Sequence, residues 1–166
     1  WLLPPPPAQP MHHQMFEWLS SYKDSLRRAL EAWNAAMPEA RLEVMTPYSI
    51  CTGKYGGGWR HVADAMAADP ERGSMACVDA MVAKAATQAV AKAICKRYPV
   101  TDTGVTNIQE DIMEVVQGLP ARLRRSTYVV DQHSLTAGHC DRTRDGRHYG
   151  ELILPQLNEI FHVSGW

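Results

Sequence analysis

The sequence predicts an α/β protein in which helices cover a parallel sheet. Three observations carry that expectation. Long amphipathic segments alternate with short apolar ones, the order that βαβ-type chains follow. The two short segments, Arg41–Thr46 and Ser126–Asp131, are bounded by prolines or end on an acidic residue, as buried strands do. The second of them is β-branched and apolar through its middle, as a buried strand is.

Residues 1–10 are proline-rich and expected to be extended; the domain proper is expected to span 11–166, with 47–73 a long loop or lid. Met15, Leu19, Tyr22, Leu26, Leu30, Trp33 and Met37 recur at steps of three and four, which predicts a helix over Met11–Met37 ended by Pro38. His12 and His13 fall at its start and read as a helix-start pair. Arg41–Thr46 alternates and reads as the first strand. The 47–73 stretch carries Gly53, Gly56, Gly57 and Gly58 with Tyr48, Tyr55 and Trp59 between them, and a short helix near His61–Ala67. Its glycines lack a following Lys-Ser/Thr, so it is no Walker loop, and Gly53-Lys54 alone is too little for a phosphate site.

Ser74–Arg97 is alanine-rich and predicts one continuous helix, with Met75, Val78, Val82, Ala89 and Ala93 along its buried face. Thr106 and Gln109 form a capping-box signature for a helix reaching Gln117, with Ile108, Ile112 and Val115 inward and Gly118 and Pro120 as its stop. Arg122, Arg124 and Arg125 then read as a solvated loop. Ser126–Asp131 is the second strand and Gln132–Arg147 a loop. A last helix over Tyr149–Phe161 has Leu152, Leu157 and Ile160 as its core side. Two strands alone make a poor sheet, so further strands are expected from an upstream or companion segment, or else the fold is a smaller α-rich one.

The net charge of −1 over 166 residues favours neither nucleic acid nor an anionic membrane. No apolar run approaches the roughly 18 residues of a membrane helix, so no membrane span is expected. The chain does not begin with Met and shows no signal peptide, and we read it as a mature or trimmed product or a piece of something longer. Four cysteines permit two disulfides. Cys77 and Cys95 cannot pair while one helix joins them, because rise alone would separate them by roughly 27 Å. Cys51 and Cys140, both in expected loops, are then partners for each other or for the helix cysteines. No Cys-x-x-Cys is present, which argues against a zinc ribbon.

The chemistry concentrates in Val129–Thr136 and Thr143–Tyr149. Asp145 and His148 lie three apart across an Asp-Gly turn, and Gly146 gives that turn its freedom. A carboxylate so placed can fix the tautomer of an imidazole and stabilise its protonated form, as a general base requires. The plainer alternatives are Asp145 as an N-cap and His148 as a surface residue. His133, His139, Cys140, Asp141, Asp145 and His148 crowd the same loop, but their spacing matches no metal motif, and neither a metal nor another cofactor is expected.

The run of strand, acidic residue, loop, Asp-Gly-x-His-Tyr and a helix ending Gln156-Leu-Asn-Glu-Ile-Phe161 resembles the last block of SGNH/GDSL hydrolases. It is most similar to the branch of PC-esterases and plant cell-wall acyltransferase-like proteins. The likeness is specific over Val129–Phe161 and loose elsewhere, where Met11–Met37 resembles the helix before the family's penultimate strand. It implies the C-terminal portion of a three-layer α/β/α sandwich, with Asp145 and His148 as the acid and base of a triad acting on an acylated carbohydrate or lipid. The family's Gly-Asp-Ser nucleophile motif is absent from this sequence, as are its oxyanion-hole blocks. Gly73-Ser74 is the nearest pair and has no strand before it. The resemblance therefore implies an esterase or acyltransferase whose serine lies on another segment. The alternative is a non-catalytic structural or partner-binding module with an exposed sheet edge. The even cysteine count and the resemblance lean toward a secreted or lumenal history.

Overall fold

The structure is a computed structural model and describes residues 19–84 and 86–164. The proline-rich segment, the His12-His13 pair and the Met11–Trp18 part of the first expected helix lie outside the described residues. The rest is mostly helical around one small parallel sheet, which places the chain in the α/β class.

Helix α1 (Tyr22–Ala36) precedes strand β1 (Leu42–Met45). Tyr22 and Leu30 are buried, but Trp33 and Met37 are 50% and 41% exposed, so the expected core stripe holds only through Leu30. A 3-10 turn, Thr52–Lys54, leads to α2 (Arg60–Ala68) and α3 (Pro70–Val82). The expected 47–73 loop is therefore largely helical. The signal for α3 is Asp69-Pro70, where the Asp69 carboxylate accepts the backbone N–H groups of Glu71 and Arg72 at 2.9 and 3.3 Å and Pro70 occupies the first turn.

The single helix expected over Ser74–Arg97 is two. After α3 the chain turns, and α4 (Gln88–Arg97) starts on the Thr87 side chain, which accepts the Val90 N–H at 3.3 Å. The turn folds α4 back on α3, so Cys77 and Cys95 form a disulfide with Cα atoms 5.9 Å apart, against the expectation that they could not pair. Breaking the helix also changes its buried face. Cys77, Val78, Met81, Ala91, Ile94 and Cys95 are buried, whereas Met75 and Val82 are exposed.

Helix α5 (Asp102–Gln117) begins a turn before the Thr106–Gln109 pair. Thr106 is thus inside the helix and donates back to the Asp102 carbonyl at 2.9 Å, while Gln109 reaches across to Asp131. The inward face is the expected one, with Ile112 and Val115 buried and Ile108 packed against them. On its opposite flank the buried Asp111 carboxylate accepts from Arg97 at 2.7 Å and from the Tyr98 hydroxyl at 2.5 Å. Burial and the Asp111 charge both push the Tyr98 phenol upward.

Short helix α6 (Ala121–Arg125), where a loop was expected, turns the chain into β2 (Thr127–Val130). The strands pair in parallel from Leu42 opposite Thr127 to Met45 opposite Val130. Leu42, Val44 and Val129 pack with α1 and α5 residues on one face. Beyond β2 come α7 (Gln132–Thr136), 3-10 turns at Cys140–Arg142 and Gly150–Leu152, and α8 (Ile153–Ser164), which packs on β2. Of the expected core side of the last helix, Leu152 and Ile160 are half-buried and Leu157 is 40% exposed, while Gln156 is buried.

Candidate active site

The segments leaving the two strands run side by side. Thr46 follows β1 and Asp131 follows β2, and the Thr46 hydroxyl donates to Asp131 Oδ1 at 3.2 Å while accepting the His133 N–H at 3.0 Å. Asp131 caps α7 through the Ser134 N–H and hydroxyl and accepts Gln109 Nε2 on both oxygens at 2.8 Å. Burial opposes its charge, but the donors Ser134, Thr46 and Gln109 outweigh that and hold the carboxyl below its ordinary value. One step further, the Ser49 N–H donates to Thr136 Oγ1 at 2.9 Å, and the Tyr149 hydroxyl donates to the Ser49 carbonyl at 3.1 Å. These buried links fix the segment after β1 to the one after β2.

The Asp145 turn is seated on that framework. Cys51 N–H donates to the Gly146 carbonyl at 2.8 Å and Gly56 N–H to the Asp145 carbonyl at 3.0 Å. Lys54 Nζ holds the carbonyls of Cys140 and Thr143 at 2.7 and 3.1 Å. The Cys51–Cys140 disulfide joins the same two segments, one of the pairings the sequence allowed. Gly146 has φ +79°, and a Cβ there would stand 2.6 Å from the Cys51 carbonyl oxygen and 2.8 Å from Tyr55 N. Glycine is therefore required twice over, by the backbone conformation and by the close approach.

On this turn Asp145 and His148 meet as the spacing anticipated. His148 Nδ1 lies 2.5 Å from Asp145 Oδ2, and Asp145 Oδ1 accepts the backbone N–H groups of His148 and Arg147 at 3.0 and 3.2 Å. The His148 side chain, followed by those two N–H groups, holds the Asp145 carboxyl well below the usual carboxylate range. Asp145 does cap backbone N–H groups, yet the helix proper starts only at Ile153, so the pair belongs to a turn rather than to a helix start. The two residues line a cleft of about 430 Å³ together with Arg142, Arg144, Gly150 and Glu151. The His148 side chain is 69% exposed, and with Nδ1 engaged, Nε2 is the nitrogen available to exchange a proton with a bound molecule.

The other chemistry-bearing residues disperse. His133 is buried, with Nε2 3.3 Å from Thr106 Oγ1 and 3.4 Å from Asp102 Oδ1, so it ties α7 to α5. Cys140 is committed to its disulfide, and among the described residues no three His, Cys, Asp or Glu side chains gather as metal ligands do. Ser74 lies in α3 and lines clefts that His148 does not share. The sequence reading assigned no role to Thr46, Ser49, Thr136 or Tyr149, although Thr136 and Tyr149 fall in the two stretches it singled out.

No family model matches this chain, and no curated protein and no solved structure matches it either.

Proposed function

We propose that the chain forms the C-terminal portion of an SGNH-like three-layer α/β/α domain, and that the domain is an acyl-ester hydrolase or acyltransferase. A serine on an upstream or companion segment would attack the acyl carbonyl of an acylated carbohydrate or lipid. His148 would take the serine proton through Nε2 and later return it to the leaving alcohol, with Asp145 holding the ring through Nδ1. The observation that carries this reading is the Asp145–His148 contact at 2.5 Å on an anchored turn beside an open cleft.

The sheet supports it as well. A two-stranded parallel sheet is rare as a finished structure, because parallel strands are ordinarily covered and flanked. Met45 on β1 and Leu154 on α8 are 52% and 73% exposed, apolar area of the kind further strands and helices would cover. A covering segment that brings no nucleophile would make the same surface a partner-binding module, and the test separates the two.

Native protein, isolated with whatever segment accompanies it, is treated with a fluorophosphonate label and assayed on acetyl esters. The expected result is a labelled serine outside this sequence. His148→Ala should then lower turnover by roughly 10²–10⁴-fold with folding intact, the range for losing a positioned general base. Full activity in that variant, or native material with no labelled serine, overturns the proposal.

A further inference from the structure

Of the charged side chains that line the His148 cleft, all but one meet an opposite charge among the described residues. Arg142 meets Asp141 at 3.1 Å and Glu151 at 3.0 Å, so its charge is answered within its own loop. Asp145 is shared by His148 Nδ1 at 2.5 Å and Arg147 Nε at 3.7 Å, and the Arg147 guanidinium also stacks 5.8 Å above the Tyr55 ring. Lys54, which does not line the cleft, gives its protons to the carbonyls of Cys140 and Thr143 at 2.7 and 3.1 Å. That leaves Arg144, which lines the cleft with His148 and pairs with no carboxylate among the described residues.

An unpaired surface arginine is ordinary by itself. This one stands on the wall of the opening that holds the acid–base pair, next in sequence to Asp145, on a turn pinned by backbone bonds and a disulfide. Its position relative to His148 is therefore fixed at the backbone, and a guanidinium presents a planar fork that matches carboxylate and sulfate oxygens. The carboxylates that could have quenched it, Glu151 and Asp145, are already engaged.

We infer that Arg144 is a specificity residue for an anionic group, so that the cleft takes acyl esters of acidic carbohydrates, uronates or sugar sulfates, in preference to neutral ones. The anion would dock on the Arg144 fork while the ester lies at His148. The substrate class rests on the hydrolase reading above; the anion site itself does not, and the two are tested separately.

The binding arm uses this chain and follows the His148 ring protons by NMR during titration with sodium galacturonate, galactose 6-sulfate or galactose. The two anions should shift the ring resonances and galactose should not. Arg144→Gln should weaken the anions by roughly three- to tenfold, the range of one exposed charge-assisted contact, and Arg144→Lys should restore part of that loss. Uronate response without sulfate response, or the reverse, identifies which anion the fork fits. Equal response to galactose, or an unchanged affinity in Arg144→Gln, overturns the inference. The catalytic arm compares acetylated galacturonate with acetylated galactose on the native protein. Equal kcat/KM for both, unaltered in Arg144→Gln, sinks the specificity claim and leaves the hydrolase standing. Anion binding at Arg144 in a protein that cleaves no ester sinks the hydrolase and leaves the anion site.

Discussion

Replacing Cys51 and Cys140 together by alanine should cost a large share of this chain's stability. The bridge closes a loop of 89 residues, and the chain-entropy relation gives about 15 cal/mol/K for a loop of that length, or about 4.6 kcal/mol at 25 °C. The inner Cys77–Cys95 bridge shortens the effective loop by 18 residues, which changes the figure by only about 0.2 kcal/mol because the dependence is logarithmic. A domain of this size has about 5–15 kcal/mol in total, so the loss is a third or more of it. Urea unfolding followed by far-UV circular dichroism measures the change by linear extrapolation. The denaturant slope should rise as well, since the unlinked denatured chain exposes more surface. The same variant loosens the Asp145 turn from the segment at Cys51, so the Asp145 carboxyl should titrate closer to its ordinary value. A loss below about 2 kcal/mol would refute the entropic argument. An unmoved Asp145 titration would refute the claim that the bridge helps seat the turn.

Two glycines with the same φ of +79° separate strain from crowding: Gly146→Ala meets backbone atoms at 2.6 Å, whereas Gly138→Ala meets nothing within 4 Å. Gly138→Ala should cost about 1–2 kcal/mol from the left-handed backbone alone, and Gly146→Ala clearly more, with equal urea midpoints counting against the close approach. Asp145 should remain ionised well below the ordinary carboxylate range, and in His148→Ala its titration, read by carboxyl ¹³C shifts, should move back up. Because the folded value is the lowered one, its stabilising contribution is complete above the unfolded value near about 3.9 and is lost as the pH falls through the folded value. The stability advantage of the natural chain over His148→Ala should therefore shrink in that acid window and not above it.

Much of the site was legible because it is local. Asp145, Gly146 and His148 are neighbours on one turn, and the Asp-Gly pair announces that turn through glycine's access to positive φ. The strands were legible for a similar reason, as short apolar runs between breakers. What escaped depended on competition between long-range terms. Nothing in Ala83–Thr87 is a strong breaker, and alanine-rich sequence favours helix. The turn exists because folding α4 onto α3 buries Cys77, Met81, Ile94 and Cys95 together. Thr106 and Gln109 carried a capping pattern, but Asp102 lies a turn earlier and Gln109 finds its partner in Asp131, 22 residues away. The framework under the dyad was invisible because Thr46, Ser49, Thr136 and Tyr149 are ordinary polar residues whose meaning appears only when the segments after β1 and β2 meet. Tyr149 showed its proximity to His148 and nothing of its contact with Ser49.

The parallel pairing of β1 with β2 also dictates an order of events in folding. Leu42 is 85 positions from its partner Thr127 in the register, and the bonds from Ser49 to Thr136 and Tyr149 span 87 and 100. The α2–α3–α4 unit closes over far shorter stretches and can collapse early, whereas the bonds from Cys51, Lys54 and Gly56 that seat the Asp145 turn wait for the slowest loop closure. Oxidation should follow the same sequence, Cys77 with Cys95 first and Cys51 with Cys140 last. The Asp145 turn is therefore anchored at the end, and a chain that has formed only its helical hairpin holds Asp145 and His148 on an unanchored turn.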